Sequence, residues 1–182
     1  VYDESKLSFL LNKMQIKHLN ERYPHEISGG ENQRIAVARS LIRKPDLFLL
    51  DEPFTNLDAI TKKETKELVF DIIKETNITT ILVNHDIQDS LEISDKILVL
   101  DTERRHQIDT PAIMYSKPAS LEIANLFGEV NCLTIEDKKV YFRPEDVKIV
   151  EKSQIKVNVI KSVFIGKCFK IIAEFELEEI TI

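Results

Sequence analysis

The string Leu47-Phe48-Leu49-Leu50 stands between Pro45 and the polar break Asp51-Glu52-Pro53. An uninterrupted apolar run of this length is too short for a helix and lacks the alternation of a half-solvated strand. It therefore reads as a buried strand of a parallel sheet. The flanks follow from that strand. Residues 79–83 and 96–100 are two further strand candidates. Asp58 opens a pattern with Leu68, Val69, Ile72 and Ile73 on one face, predicting a surface helix to about residue 75. Upstream, Leu7, Leu10, Leu11 and Met14 repeat at helical spacing and predict an amphipathic helix to about Lys13, with a shorter helical stretch before Pro24. Residues 31–43 carry no breaker before Pro45 and predict another helix. Short helices are expected over 86–93, 110–115 and 119–127. Strand and helix thus alternate at βαβ spacing, which implies an α/β arrangement with right-handed crossovers.

Near Gly128 the pattern changes to period two. Val140 and Phe142, Val147 and Ile149, and Val157 and Val159 alternate with polar residues, and Phe169, Ile171, Ala173, Phe175 and Leu177 form the clearest run. A short all-β module is expected from a boundary at 127/128, with no closing strand before Ile182. The expected domains are therefore 1–127 and 128–182.

Composition narrows the function classes. No apolar run approaches the roughly 20 residues that a membrane-spanning helix needs, and no charged-then-apolar leader opens the chain. With 31 acidic against 25 basic side chains the net charge is −6, which argues against nucleic acid as the partner. Cys132 and Cys168 are too few and too far apart for a disulfide framework or a zinc site, and a reducing cytoplasmic setting is expected.

Two of the four glycines, Gly29 and Gly30, are adjacent, within Ile27-Ser28-Gly29-Gly30-Glu31-Asn32-Gln33-Arg34. Ser28 followed by Glu31 is a capping box, which accounts for those two residues but not for the glycines. A glycine pair at a helix start leaves unpaired N–H groups and the positive dipole end free to face an anion such as phosphate. From the residues alone, a helix-start capping box and anion binding are equal readings of this segment.

Asp51 and Glu52 end an apolar strand, where unpaired charge is costly. Emergence into a solvated loop is the simple reading. The functional one divides labour, Asp51 serving magnesium and Glu52 orienting and deprotonating a water that attacks a γ-phosphate. Ligands of open α/β sheets gather beyond the C-terminal strand ends, which favours the second. His85 follows the 79–83 strand by two residues. If the strands are parallel neighbours it shares that edge and can hydrogen-bond a phosphate. His18, His25 and His106 receive no role.

In order along the chain, Ser28-Gly29-Gly30 before a helix, the strand into Asp51-Glu52-Pro53, Leu57-Asp58, and Asn84-His85-Asp86 resemble the C-terminal two-thirds of an ATP-binding cassette (ABC) ATPase subunit. The resemblance makes them the signature motif, the Walker B strand with its catalytic glutamate, the D-loop and the switch histidine. It implies the fold as well, the C-terminal part of a P-loop NTPase-like domain, with a helical subdomain and a parallel-strand core. The tail motif Gly128-Glu129-Val130-Asn131 and the later Arg143-Pro144-Glu145-Asp146 are similar to the start of the OB-like TOBE module of importer ATPases.

The resemblance implies a head-to-tail dimer. ATP and Mg²⁺ held by one subunit would be covered by Ser28, Gly29, Gly30, Glu31 and Gln33 of the other. Glu52 and His85 would be catalytic, Asp51 would serve the metal, and Asp58 would lie at the interface. The implied partners are a second ATPase subunit, membrane permease subunits and, indirectly, a solute-binding protein, with the ATPase on the inner face of the cell membrane. The imported solute would be an inorganic ion, a polyamine or a sugar.

Two departures accompany the match. Glu31 stands where glutamine is usual, and Asn84 replaces threonine. The string Gly-x-x-x-x-Gly-Lys-Ser/Thr is absent, because Gly166-Lys167 has Lys161 and Cys168 at the flanking positions. The chain, which begins at Val1, is therefore expected to be a fragment without its P-loop and inactive alone. The alternatives are a non-transport ABC ATPase in DNA repair or iron–sulfur assembly, and a non-catalytic regulatory remnant.

Overall fold

The computed structural model describes residues 3–100, 106–153, 155–176 and 178–182. They form two compact units, Val1–Asp89 and Ser90–Ile182.

In the first unit, α1 (Glu4–Lys13) is capped by Asp3, whose carboxylate accepts from the amides of Ser5 and Lys6. The shorter stretch before Pro24 is a 3-10 turn, Lys17–Leu19, followed by a second at Pro24–Glu26. Helix α2 (Gly29–Leu41) starts two residues earlier than periodicity predicts, because Ser28 is the cap and both glycines lie in the first turn. Strand β1 (Leu47–Asp51) pairs in parallel with β2 (Thr79–Val83), in the register Leu47↔Thr79 through Asp51↔Val83. Between them runs α3 (Ala59–Thr76), capped at its start by Asp58 and at its end by Asn77 in the left-handed conformation, φ 49°.

The core of this unit joins Leu10, Met14 and Ile16 to Val37 and Leu41 of α2, Phe48 and Leu50 of β1, and Val69 and Ile72 of α3. Removing those side chains from water is the main favourable term. The expectation of a strand buried on both faces is corrected here. Phe48 and Leu50 are covered, but Leu47, Leu49, Ile81 and Val83 are exposed. The helices α1 to α3 pack on one face of β1 and β2, so period-two geometry leaves the other set of side chains in solvent.

Helix α4 (Ile87–Ile93) leads to β3 (Ile97–Leu100). The expected 96–100 strand exists but continues no parallel sheet. It pairs antiparallel with β4 (His106–Asp109), a strand that apolar patterning misses because its residues are His-Gln-Ile-Asp. Helices α5 (Pro111–Ser116) and α6 (Leu121–Leu126) follow.

The rest of the second unit is β-rich. Strands β5 (Asn131–Ile135) and β6 (Lys138–Phe142) form one hairpin. Strands β7 (Asn158–Phe164), β8 (Phe169–Phe175) and β9 (Glu178–Thr181) form a second antiparallel sheet. Leu133, Ala173 and Ile180 are buried together, one from each of β5, β8 and β9. Strand β9, whose Glu-Glu-Ile-Thr sequence gives little strand signal, pairs with β8, and among the described residues no strand pairing joins this sheet to the β5–β6 hairpin. Leu177, the last member of the predicted alternation, lies outside the described residues. Val147 and Ile149 fall in no regular element.

Arg143 follows β6 and is buried. Its guanidinium donates to the carbonyls of Gly128 (2.7 Å) and Glu129 (3.1 Å) and lies 4.5 Å from the Tyr115 ring centre. Gly128 has φ +152°, a conformation that side chains with a Cβ rarely adopt. Arg143 thus fastens the chain at Gly128, and Pro144–Asp146 forms a 3-10 turn. Among the described residues, no helix is long and apolar enough to cross a membrane.

Candidate functional site

Two groups of predicted residues are assembled in the first unit. The first lies at the C-terminal ends of β1 and β2. The parallel ladder aligns Asp51 with Val83, and the Glu52 amide donates to the Val83 carbonyl at 2.9 Å. Glu52 then takes φ +43°, in the left-handed region, which turns the chain away from the strand. A non-glycine residue there is strained and needs a surrounding structure that holds it. Phe54 supplies that hold: it is buried and packs edge-on against Phe70 of α3, with ring centres 5.7 Å apart.

The result brings His85 Nδ1 to 3.4 Å from Glu52 Oε1, with both side chains substantially exposed. Thr55 Oγ1 donates to the other oxygen, Glu52 Oε2, at 3.1 Å. Asp51 is also exposed at this edge. Two carboxylates and an imidazole on one open edge can orient a water molecule, accept its proton and meet a cation or a phosphate.

The second group is the start of α2. Ser28 Oγ accepts from the Glu31 amide and donates to Glu31 Oε2, which also accepts from the Ser28 amide at 2.9 Å. Glu31 Oε1 lies 3.3 Å from His18 Nε2. The carboxylate is therefore folded back on its own turn and does not project as a free charge before the helix. Ser28 and Gly29 are exposed, Gln33 is half-buried and Gly30 is buried. A Cβ on Gly30 would come within 2.2 Å of the Thr61 methyl, so close packing on α3 requires this glycine. Gly29 meets only Leu57, at an ordinary 3.9 Å. The capping box is formed, close packing that neither reading named accounts for Gly30, and Gly29 remains open to a ligand.

Asp58 caps α3 through the amides of Ile60 and Thr61, both at 3.1 Å. Its pKa is lowered, first by the Thr61 side chain. The contacts of Leu57 and Thr61 with the glycines place its loop beside the first turn of α2. Among the described residues, no hydrogen bond or ion pair links this turn to Glu52 or His85.

Hydrogen bonds from the Ser28 hydroxyl and amide, with a smaller contribution from His18, lower the Glu31 carboxyl from 4.5 to about 2. A depressed folded-state value stabilises the fold fully above about pH 4.5, and that stability is lost as pH falls toward 2. Between pH 5 and 2.5 the urea midpoint of Glu31→Gln should therefore fall less than that of the unaltered chain. Parallel falls would show that Glu31 contributes nothing to the acid sensitivity.

Sequence reasoning missed Lys62, Lys66 and Asp89, which surround the His85 loop. Lys62 Nζ lies 2.6 Å from Asp86 Oδ2 and 3.5 Å from Asp89 Oδ2, and Lys66 Nζ lies 2.7 Å from Asp89 Oδ1. Lys62 and Lys66 are four apart on α3 and so share a helix face, which is readable from sequence. Their partners are not, because pairing depends on how α3 packs on the loop after β2.

Residues 2–55 match the family described as ABC transporter. The chain is 37% identical over 153 residues to the sulfate/thiosulfate import ATP-binding protein CysA of Pectobacterium atrosepticum, covering 83% of this chain and 46% of that protein. It is 38% identical over 147 residues to CysA of Pseudomonas aeruginosa, covering 80% and 45% respectively. It is also 32% identical to the spermidine/putrescine import ATP-binding protein PotA of Malacoplasma penetrans, covering 96% of this chain and 37% of that one. The chain thus spans less than half the length of these curated relatives. A solved ABC transporter structure in an inward-facing conformation superposes with TM-score 0.59 at 20% identity, covering 75% of this chain and 54% of that one. The mixed helix and strand fold matches that neighbour.

Proposed function

With the ABC transporter match over residues 2–55 and import ATP-binding proteins as its relatives, we propose that the chain is part of the ATP-hydrolysing subunit of an ABC importer. The observation that carries this reading is the 3.4 Å approach of His85 to Glu52, beside Asp51, at the end of two paired parallel strands. Glu52 orients the attacking water and takes its proton. His85 donates to the γ-phosphate and steadies Glu52.

The residues fit MgATP. Asp51 is an exposed carboxylate at the strand end, and among the described residues no group of three or more His, Cys, Asp or Glu could hold a metal. Magnesium is commonly held by one or two carboxylates together with substrate phosphates, so a single Asp51 suffices. When bound, the cation neutralises developing charge on the phosphate oxygens. Ser28 and Gly29 present the exposed start of α2 to a nucleotide held by a second, head-to-tail subunit. Glu31 keeps the turn closed, Gln33 lies one turn into the helix, and Asp58 borders the interface. Residues 1–127 form the ATPase part and 128–182 a TOBE-like module. Lacking a P-loop string, the 182 residues alone hydrolyse no ATP.

The relatives' names cover sulfate, thiosulfate and polyamines. They support a small solute as cargo, with permease subunits and a solute-binding protein as partners, and a place on the inner face of the membrane. Tagged full-length protein purified from detergent-solubilised membranes should carry a permease. Nucleic acid or assembly factors in its place would overturn the importer reading in favour of a non-transport ABC ATPase.

A further inference from the structure

The loop that carries His85 is held by a network that extends from α3. Asn84 Oδ1 accepts from the Asp86 amide at 3.0 Å, and Asn84 Nδ2 donates to the Asp86 carbonyl and to Asp89 Oδ2, both at 3.4 Å. The Asp89 amide donates to Asp86 Oδ1 at 3.3 Å. Lys62 and Lys66, on successive turns of α3, then bind the Asp86 and Asp89 carboxylates. Asp89 is buried, at 4% exposure, and a buried charge is tolerated only when paired. The loop therefore has one low-energy placement relative to α3.

Helix α3 begins at the Asp58 cap, and Lys62 is one turn beyond it. The same helix carries Phe70, whose ring packs edge-on against Phe54, two residues after Glu52. His85 and Glu52, on two different loops, are thus referenced to a single rigid element. The hydrogen bond between their side chains raises the pKa of Lys62 and lowers that of Asp86.

We propose that Lys62 and Asp89 are positioning residues that fix His85 against Glu52 and tie the His85 loop to the Asp58 end of α3. They act through the placement of His85. The proposal rests on the reading of Glu52 and His85 as catalytic.

The test is steady-state MgATP hydrolysis by the full-length protein. Lys62→Met and Asp89→Asn should each lower kcat about tenfold, since small misplacements cost up to about a hundredfold. KM for ATP should change less than about twofold, because ground-state binding is untouched. Lys62→Arg, which keeps the charge, should recover most of kcat. Asp89→Asn is nearly isosteric, so it carries the test if Lys62→Met does not fold. Wild-type kcat in Asp89→Asn, or a rise in KM with kcat intact, would overturn the positioning role. If His85→Ala and Glu52→Gln themselves keep full turnover, the catalytic reading fails instead. Loss in those two with full turnover in Lys62→Met and Asp89→Asn removes only the present inference.

Discussion

Glu52→Gln in the full-length protein is expected to lower MgATP turnover by about 10²–10⁴-fold, the range a positioned general base supplies. Glutamine keeps the shape of the side chain and can still lie near Thr55 and His85, but its amide cannot accept a proton from water. Nucleotide-dependent dimerisation should survive, because the Ser28–Gly30 turn that would face the second subunit's nucleotide is untouched. Stability should hold as well, since Glu52 is exposed and its backbone bond to Val83 does not involve the side chain. The measurements are turnover by phosphate release and dimerisation by light scattering with and without MgATP. Normal hydrolysis would remove Glu52 from the mechanism, whatever the family match implies for the rest of the chain.

Among the glycines, Gly30→Ala creates the closest contact, and it should destabilise the first unit. The added Cβ would meet the Thr61 methyl at 2.2 Å. Thr61 is β-branched, sits in the first turn of α3, and is tied to Asp58, so its χ1 has little freedom to yield. Overpacking of this kind costs about 1–3 kcal/mol. The better helix propensity of alanine offsets up to about 1 kcal/mol of that. Thr61→Ser removes the clashing methyl while keeping the hydroxyl that faces Asp58. The double variant Gly30→Ala/Thr61→Ser should therefore regain most of the lost stability in urea titration. If Gly30→Ala is as stable as the unaltered chain, close packing is not the reason for glycine at this position. Turnover of the rescued double variant separates packing from a phosphate contact at Gly30. Restored activity assigns Gly30 to packing alone, whereas stable but inactive protein assigns it a phosphate contact too.

Much of the first unit was legible because its signals are local. The Ser28–Glu31 capping box, the Asp58 cap and the periodicity of α3 are each set within a few residues, and short-range sterics and hydrogen bonds decide them. The 47–50 strand was legible from its apolar run, and its parallel pairing from the helix between it and 79–83. The weak elements were those whose residues carry no apolar pattern. Strands β4 and β9 exist because an adjacent strand offers hydrogen bonds along its edge, a condition met only in three dimensions. The one-sided burial of β1 was illegible for the same reason, since a run of four apolar residues looks identical whether one face or both is covered.

By itself the sequence determined the residue types at the site and their order: a serine-glycine-glycine helix start, two carboxylates after an apolar strand, and a histidine after the next. Tertiary structure decided which of them meet. The β1–β2 register and the left-handed turn at Glu52 bring it to His85, and the packing of α2 on α3 accounts for Gly30. It also recruited Lys62, Lys66 and Asp89, charged residues that read in the sequence as ordinary solvated positions. The reason is physical: a cap or a helical stripe is a property of neighbouring residues, whereas an ion pair between positions 62 and 86 requires a helix and a loop to be held at a fixed separation by the core beneath them.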